Sequence, residues 1–228
     1  MSSLEPKKLS FDFYDLESLS ENPKCAEYEK EQDAMRKQTA FNAYKKSGVP
    51  SKFFETTLGT YSATTDEEVK NKSVVVDFAG APSNRVLILC GRNGTGKTSL
   101  GCGVIRQYGG VYTTSSDLCI EYEAATSYHA ERTRNEILKY YARAKMLVLD
   151  ECGKYTLNQN IEQFLLAYLI SARYENNLAT VLITNSNKKE FVEFLGKSVF
   201  DRLTEVCTTL EFTGESKRKQ MRAGGKVL

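Results

Sequence analysis

The sequence predicts an α/β fold in which a parallel sheet is covered by helices on both faces. Short apolar runs, of the continuous kind found in buried parallel strands, recur along the chain and alternate with helical segments. The glycine-rich segment GRNGTGKT directly follows the first of these runs and opens a helical pattern. Alternation of this kind builds doubly covered parallel sheets, because each crossover packs a helix against one face. The strand candidates are RVLILC (85–90), GGVYTT (109–114), KMLVLD (145–150), ATVLIT (179–184) and CTTLEF (207–212).

Helical patterns occupy the intervals between the predicted strands. SDLCIEYEAAT and ERTRNEILKYYARA lie before KMLVLD, and IEQFLLAYLISARYE lies before ATVLIT. Ser115 or Ser116, together with Asp117, is the candidate cap of the first of these helices. The run VVVDFA (74–79) is ambiguous, because it is β-branched like a strand yet follows the helical segment DEEVKNK.

Residues 1–46 are predicted to form a helical arm that binds a partner, and residues 47–228 to form the α/β domain. EYEKEQDAMRKQTAFNAYKK (27–46) has few helix breakers and few apolar residues, so we expect it to be exposed or bound to a partner. Residues 1–40 hold nine acidic and six basic side chains, a balance of −3. Since the whole chain carries +2, the remainder carries +5, part of it in a basic C-terminal tail.

The composition excludes several classes of site. His129 is the single histidine, which rules out a histidine-rich metal site and restricts any Ser-His-Asp triad to that residue. The six cysteines form no C-x-x-C pair and are expected to be reduced, small apolar fillers. No apolar run approaches the roughly 18 residues of a membrane span. The first residues carry charges where a signal peptide is apolar, so we expect a cytoplasmic location.

The segment from Gly91 to Thr98 matches the phosphate-binding pattern G-x-x-x-x-G-K-[ST]. Its glycines allow successive backbone N–H groups to turn inward around phosphates. Lys97 is expected to reach the β and γ phosphates as a point charge, and the Thr98 hydroxyl to ligate Mg²⁺. The next helix directs its positive N-terminal end at the same anion. The candidate nucleotide-binding residues are Gly91, Asn93, Gly94, Thr95, Gly96, Lys97, Thr98 and Ser99.

Two adjacent carboxylates, Asp150 and Glu151, stand at the end of KMLVLD. A carboxylate at the carboxyl end of a buried strand reaches the crevice where α/β sheets bind ligands, so Asp150 is expected to hold Mg²⁺ through its water shell. Glu151 can accept a proton from an attacking water or orient it. Small-molecule kinases must keep water out and have no need of such a base, so the pair indicates hydrolysis. The alternative is that acidic residues merely end the strand.

Two further residues are candidates for a role in hydrolysis. Asn185 follows ATVLIT, the strand expected between those of the phosphate loop and Asp150, and is the candidate that holds the lytic water. Alternatively, Asn185 and Asn187 only end a strand and cap the next helix. Arg202, in LGKSVFDRLTE, is a candidate arginine finger that neutralises transition-state charge in a neighbour's site. A solvated helix arginine is the alternative.

These segments, in this order, resemble an AAA+ ATPase, and more narrowly the DnaC/IstB group of replicative helicase loaders and transposition helper ATPases. The resemblance covers roughly residues 45–220 and implies an AAA+ core with a truncated or absent lid, assembling as a ring or spiral. The segments that carry it are SGVPSKFFETTLGTY, GRNGTGKTSL, KMLVLDECG, LITNSN, LGKSVFDRL and FTGESKRK.

The resemblance also implies roles for individual residues. Glu151 would activate water, Asn185 would be the polar sensor residue, and Arg202 would act on an adjacent subunit. Arg218 resembles an arginine that closes over the nucleotide in this group. Related loaders often carry a second arginine four residues before the finger, where this chain has Ser198. The neighbouring Lys197 could replace the charge of that arginine but not its geometry.

The function implied by the resemblance is an ATP-dependent loader that places a replicative helicase on single-stranded DNA, with the N-terminal arm on the helicase. An IstB-like transposition helper ATPase is the alternative within the group, and a nucleotide-gated DNA-binding scaffold is the alternative without turnover. The candidate DNA contacts are Arg132, Arg134 and Lys139. The alternative is that these residues only form a solvated helix face. The basic tail after Glu215 either contacts phosphates or is solvated.

Overall fold

The computed structural model describes residues 23–82, 85–127, 130–154 and 158–217 of the 228-residue chain. The chain divides into two compact units between Asn42 and Ala43. The described residues of the first unit all belong to helix α1 (Pro23–Lys45), whose last residues lie in the second unit. The predicted helix is therefore present, and it begins four residues earlier than expected. Its side chains are mostly exposed, Tyr28 by 63% and Met35 by 67%. Binding of a partner by this arm stays a prediction.

The second unit contains the predicted alternation of strands and helices. Each strand lies within two residues of its predicted bounds. The strands are β1 (Val86–Gly91), β2 (Val111–Thr114), β3 (Met146–Cys152), β4 (Ala179–Thr184) and β5 (Cys207–Phe212). The helices are α2 (Asp66–Gly80), α3 (Lys97–Tyr108), α4 (Ser115–Ala124), α5 (Arg134–Arg143), α6 (Gln159–Glu175), α7 (Lys188–Leu195) and α8 (Lys197–Leu203), with a 3-10 turn at Ser51–Phe53.

The five strands form one parallel sheet in the order β2-β3-β4-β1-β5. Strand β4 therefore lies between β1 and β3, as the sequence predicted. Because the carboxyl ends of parallel strands share one edge of the sheet, this order brings the turns after β1, β3 and β4 together. The sheet thus gathers three segments that are far apart in the sequence.

Alternate strand residues pack against helices on opposite faces of the sheet. Leu149 and Leu182 belong to a buried cluster with apolar residues of α4, α5 and α6. On the other face, Val148 and Ile183 lie so close to Gly101 of α3 that a Cβ there would come within 2.7 Å of Ile183 Cδ1. Burial on both faces explains the continuous apolar runs, and the predicted α/β fold is confirmed.

The cap of α4 differs from the prediction. The residue that caps the helix is Thr114, whose Oγ1 accepts a hydrogen bond from the Asp117 backbone N–H at 3.0 Å. Ser115 is already the first helical residue, so neither Ser115 nor Ser116 is the cap. The strand residue Thr114 takes this position because β2 passes into α4 without an intervening loop.

The ambiguous run VVVDFA is helical and belongs to α2. Thr65 caps this helix by accepting a hydrogen bond from the Glu68 backbone N–H, and the first turn is acidic, which favours the positive helix end. Val75 and Phe78 are buried. The capped, acidic start of the helix therefore outweighs the β-branched character of three consecutive valines. In the described part of the chain, no helix combines the length and apolar character needed to cross a membrane.

A buried arginine joins α6 to the ends of two neighbouring elements. Arg173 is fully buried and donates hydrogen bonds to the carbonyl oxygens of Tyr141 and Ala144, both at 2.8 Å, at the end of α5. It also donates to Thr180 Oγ1 and the Ala179 carbonyl at the start of β4. The last carbonyls of a helix have no partner within the helix, and a guanidinium offers five donors to satisfy them.

We expect Arg173→Met to lower the free energy of unfolding by about 3 kcal/mol, because it leaves several buried carbonyls without donors. Urea unfolding followed by circular dichroism measures the difference. Arg143→Met is the matched control, since Arg143 is exposed at the end of α5, and its change should stay within about 0.5 kcal/mol. Equal stability of the two variants would contradict the structural role of Arg173.

Candidate functional site

The loop between β1 and α3 has the backbone conformation that an anion-binding loop requires. Gly91, Gly94 and Gly96 have φ angles of 114°, 85° and 94°, in the left-handed region that favours glycine. At Gly96, a Cβ would also come within 2.6 Å of the Tyr61 ring. Helix α3 begins at Lys97, so its unpaired N–H groups and its positive end face the loop.

A cavity of about 350 Å³ lies beside this loop. Most of the site residues proposed from the sequence line it: Asn93, Gly94, Gly96, Lys97, Thr98, Ser99, Asp150, Glu151 and Asn185. Gly91 and Thr95 do not line the cavity and instead shape the loop. Gly91 lies against the Phe212 backbone, and the Thr95 hydroxyl donates to the Arg92 carbonyl at 3.0 Å.

Lys97 is almost completely buried, and loop carbonyls hold its ammonium group. The side chain is 4% exposed, and Nζ donates to the carbonyl oxygens of Gly91 and Arg92, both at 2.7 Å. Burial lowers the pKa of Lys97 to about 8, although the charge of Asp150 acts in the opposite direction. The lysine therefore gives up its proton more readily than an exposed lysine does.

Asp150 is 3% exposed and is held by three hydrogen bonds. The hydroxyls of Thr98 and Tyr112 donate to Oδ2 at 2.7 Å and 2.8 Å, and the Glu151 backbone N–H donates to Oδ1 at 2.7 Å. The Thr98 and Asp150 oxygens thus lie side by side, and such hard oxygen ligands suit Mg²⁺. The pair that the sequence proposed as metal ligands therefore fits that ion.

Tyr112 is a site residue that the sequence reasoning missed. Burial, followed by the charge of Asp150, raises the pKa of the Tyr112 phenol, so it remains a protonated donor to that carboxylate. Nothing within GGVYTT marks the tyrosine as functional. Only the pairing of β2 with β3, in which Tyr112 lies opposite Val148, brings it to Asp150.

Glu151 has an unusual backbone conformation. Its φ is 58°, in the left-handed region that few residues other than glycine adopt, and the β3–β4 pairing shifts register between Leu149 and Cys152. Glu151 is among the residues that line the cavity, its side chain is about half exposed, and its Oε1 lies 3.2 Å from Lys154 Nζ. The distortion at the end of β3 thus coincides with the residue proposed to act on water.

Asn185 and Arg202 occupy different surroundings. Asn185 directly follows β4 and lines the cavity beside Glu151. Arg202 lies on α8, is exposed and is not among the residues that line the cavity. Its Nη1 lies 3.3 Å from Ser171 Oγ on α6. Within one chain, the structure therefore does not bring Arg202 to the phosphate loop.

Of the other residues named from the sequence, those that the structure describes lie outside the cavity wall. Lys197 and Ser198 are exposed at the start of α8. Arg218 and His129 lie outside the described residues. Of the candidate DNA contacts, Lys139 is exposed, Arg132 is 3.4 Å from Glu121 Oε1, and Arg134 stacks on the Tyr122 ring at 4.6 Å.

A second wall of the cavity comes from segments on which the sequence reasoning placed no individual role. The Tyr61 hydroxyl donates to the Thr95 carbonyl at 3.1 Å, and the Lys217 backbone N–H donates to the Gly94 carbonyl at 2.9 Å. Lys217 Nζ also lies 3.9 Å from the centre of the Tyr61 ring. In the sequence, most of this wall was indicated only by the segment SGVPSKFFETTLGTY, one of those that carry the family resemblance. The residues of this wall are Phe53, Thr56, Thr60 and Tyr61 of that segment, Ser62 directly after it, and Lys217 from the segment that follows β5.

Comparisons with known proteins agree with this fold. The replicative helicase loader DnaC of Escherichia coli strain K12 is 25% identical over 190 residues, covering 79% of this chain and 74% of that protein. A crystal structure of the DnaC helicase loader matches with a TM-score of 0.63 at 20% identity, over 72% of this chain and 100% of that one. The crystal structure of DnaI matches with a TM-score of 0.59 at 19% identity, over 74% of this chain and 94% of that one.

The sheet and its helices therefore have the fold of DnaC and DnaI, and the resemblance to the DnaC/IstB group is confirmed. The model of the family described as IstB-like ATP binding protein matches residues 24–224, which is most of the chain. The protein belongs to the IstB-like ATP binding protein family.

Proposed function

We propose that this protein is an ATP-dependent loader that places a replicative DNA helicase on single-stranded DNA, acting as an oligomeric AAA+ ATPase in the cytoplasm. One observation carries the enzymatic part of the proposal: Glu151, the Thr98–Asp150 pair and the phosphate loop meet in one cavity. The similarity to the E. coli loader supports the cellular role.

ATP binding would use the loop, Lys97 and the start of α3. The inward N–H groups of the loop and the positive helix end bind the triphosphate, and Lys97 exchanges its carbonyl partners for phosphate oxygens. Thr98 and Asp150 would hold Mg²⁺, which neutralises charge on the β and γ phosphates when it is bound. Arg218 is proposed to close over the nucleotide.

Hydrolysis would proceed by attack of water on the γ phosphorus, with the bond to the bridging oxygen of ADP breaking. Glu151 accepts the proton of the water, and the Asn185 amide orients it, because both side chains line the cavity next to the loop. Lys97 and the loop N–H groups stabilise the charge that develops on the phosphoryl oxygens. The products are ADP and phosphate.

The depressed pKa of Lys97 predicts a pH dependence of nucleotide binding. Bound phosphates raise the pKa of the lysine, so the complex keeps a proton that the free protein loses above pH about 8. Affinity for ATP should be constant below that pH and fall by up to about tenfold per pH unit above it. Fluorescence titration with an ATP analogue measures this. Lys97→Met should bind more weakly and lose the pH dependence in this range, and an unchanged profile would contradict the assignment.

Arg202 is proposed to complete the site of a neighbouring subunit, since it is exposed and lies outside its own cavity wall. Arg202→Ala and Glu151→Gln should each lower hydrolysis by about a hundredfold and leave ATP affinity nearly unchanged. Mixing the two inactive variants should restore part of the activity, because one supplies an intact cavity and the other an intact arginine.

The control is a mixture of Glu151→Gln with Arg143→Ala, a change at an exposed residue outside the site. It measures how much activity comes from subunits that are active without help from a variant neighbour. An Arg202→Ala variant that loses ATP affinity, or a mixture that stays inactive, would contradict action on the neighbour. A Glu151→Gln variant with the normal rate would contradict the hydrolytic mechanism.

The partner proposal places the helicase on the N-terminal arm. Tyr28 and Met35 lie seven residues apart on α1, hence on similar faces of the helix, and both are largely exposed. The double change Tyr28→Ser and Met35→Ser should abolish co-elution with the replicative helicase of the same organism. The matched control changes the exposed Val69 and Val76 of α2 to serine and should retain co-elution.

A transposition helper ATPase is the second candidate function, because the matching family is described as IstB-like. It would use the same ATP site on a transposase–DNA complex. Failure of the unaltered protein to bind the helicase, together with binding to a transposase encoded nearby, would favour this function. Absence of hydrolysis with and without single-stranded DNA would instead favour a nucleotide-gated DNA-binding scaffold.

A further inference from the structure

The peptide group between Cys152 and Gly153 is hydrogen-bonded by side chains at both of its polar ends. The Thr184 hydroxyl donates to the Cys152 carbonyl oxygen at 2.8 Å. The Gly153 N–H donates to Glu162 Oε1 at 2.7 Å. Because a peptide group is planar and rigid, two opposed hydrogen bonds fix its orientation. We call Thr184 and Glu162 the peptide clamp.

Both clamp residues are fully buried. Thr184 is the last residue of β4, and Glu162 lies in the first turn of α6, where the helix dipole favours a carboxylate. Ser115 also donates to Glu162 Oε1, at 2.5 Å. The carboxylate is therefore held independently of the peptide that it binds, which allows it to act as a fixed acceptor.

The clamped peptide lies one residue beyond Glu151, whose left-handed conformation is unfavourable relative to an ordinary one. Such a conformation persists only where its surroundings enforce it. The backbone N–H of Glu151 donates a hydrogen bond to Asp150 Oδ1. The next residue, Cys152, is buried, and its carbonyl oxygen is held by the clamp. Loss of the clamp would let the chain at Glu151 relax toward an ordinary strand conformation. Because side chains of a strand alternate between the two faces of the sheet, this would move the Glu151 side chain.

The threonine also connects the two residues proposed to handle water. The same Thr184 Oγ1 accepts a hydrogen bond from the Ser186 backbone N–H at 3.2 Å. Asn185 lies between Thr184 and Ser186 in the chain. The Thr184 hydroxyl thus contacts the backbone at the end of β3, through Cys152, and the backbone just after β4, through Ser186. The positions of Glu151 and Asn185 relative to each other therefore depend on this group.

We propose that Thr184 and Glu162 are positioning residues for ATP hydrolysis, which hold the Cys152–Gly153 peptide so that Glu151 keeps its place at the cavity. This inference rests on the proposed function, because it gives the pair an effect only if Glu151 acts on water. Neither residue lines the cavity, so neither is expected to contact ATP.

The test compares variants that remove or retain each clamp hydrogen bond. Thr184→Val and Glu162→Met remove them with little change in volume, whereas Thr184→Ser and Glu162→Gln retain a donor or an acceptor. We expect the first pair to lower kcat by about tenfold or more, with KM and affinity for a fluorescent ATP analogue changed by less than about threefold. The second pair should keep kcat within about threefold of the unaltered protein.

Ser115→Ala tests the support of Glu162. It removes a hydrogen bond that holds the same carboxylate oxygen but leaves the Gly153 N–H bond in place, so kcat should fall less than in Glu162→Met. Melting temperatures establish that each variant is folded. If Thr184→Val does not fold, the Glu162→Met and Glu162→Gln pair decides the question.

A double-variant cycle separates positioning from a general structural role. In single-turnover assays, Thr184→Val should have little further effect in a Glu151→Gln background, because the group that it positions is already absent. An equal loss in both backgrounds, a kcat close to normal, or a loss of ATP affinity parallel to that of kcat would overturn the positioning role. If Glu151→Gln hydrolyses ATP at the normal rate, the proposed function fails as well, and that outcome is recognisable without any clamp variant.

Discussion

The buried carboxylate of Asp150 is the group on which the rest of the site depends. It accepts hydrogen bonds from Thr98 at the start of α3, from Tyr112 on β2 and from the Glu151 backbone. An isolated buried carboxylate is strongly unfavourable, so these donors are required for it to remain in place. These hydrogen bonds fix the positions of the phosphate loop and two strands relative to one another, and they place the proposed Mg²⁺ ligands side by side.

The structure combines a rigid base with a locally distorted rim. Apolar residues cover both faces of the sheet, and Arg173 satisfies carbonyls at the other end of the strands. At the carboxyl ends, by contrast, the β3–β4 pairing shifts register and Glu151 adopts a left-handed conformation. A distorted residue of this kind needs a well-packed support, because the free energy it costs must be offset by the surrounding hydrogen bonds and packing. The buried polar side chains behind the rim supply that support.

The proposed role of Arg202 would make hydrolysis depend on assembly. One chain supplies the phosphate loop, both carboxylates and Asn185 in a shared cavity, but its Arg202 lies on the exposed surface of α8. An ATPase that takes its arginine finger from a neighbour is slow on its own, so this role would link the rate of hydrolysis to assembly. For a loader, this dependence would link nucleotide turnover to the state of the ring or spiral and its DNA.

By itself, the sequence determined the fold class, the five strands, the phosphate loop and the two carboxylates after β3, because each of these has a local signature in residue type and spacing. It left VVVDFA undecided and misassigned the cap of α4, since both depend on how a segment joins its neighbours. Only the tertiary structure identified Tyr112, Lys217 and the Thr184–Glu162 pair. Their role follows from strand order and side-chain burial, which bring together residues distant in the chain without leaving a pattern in the sequence.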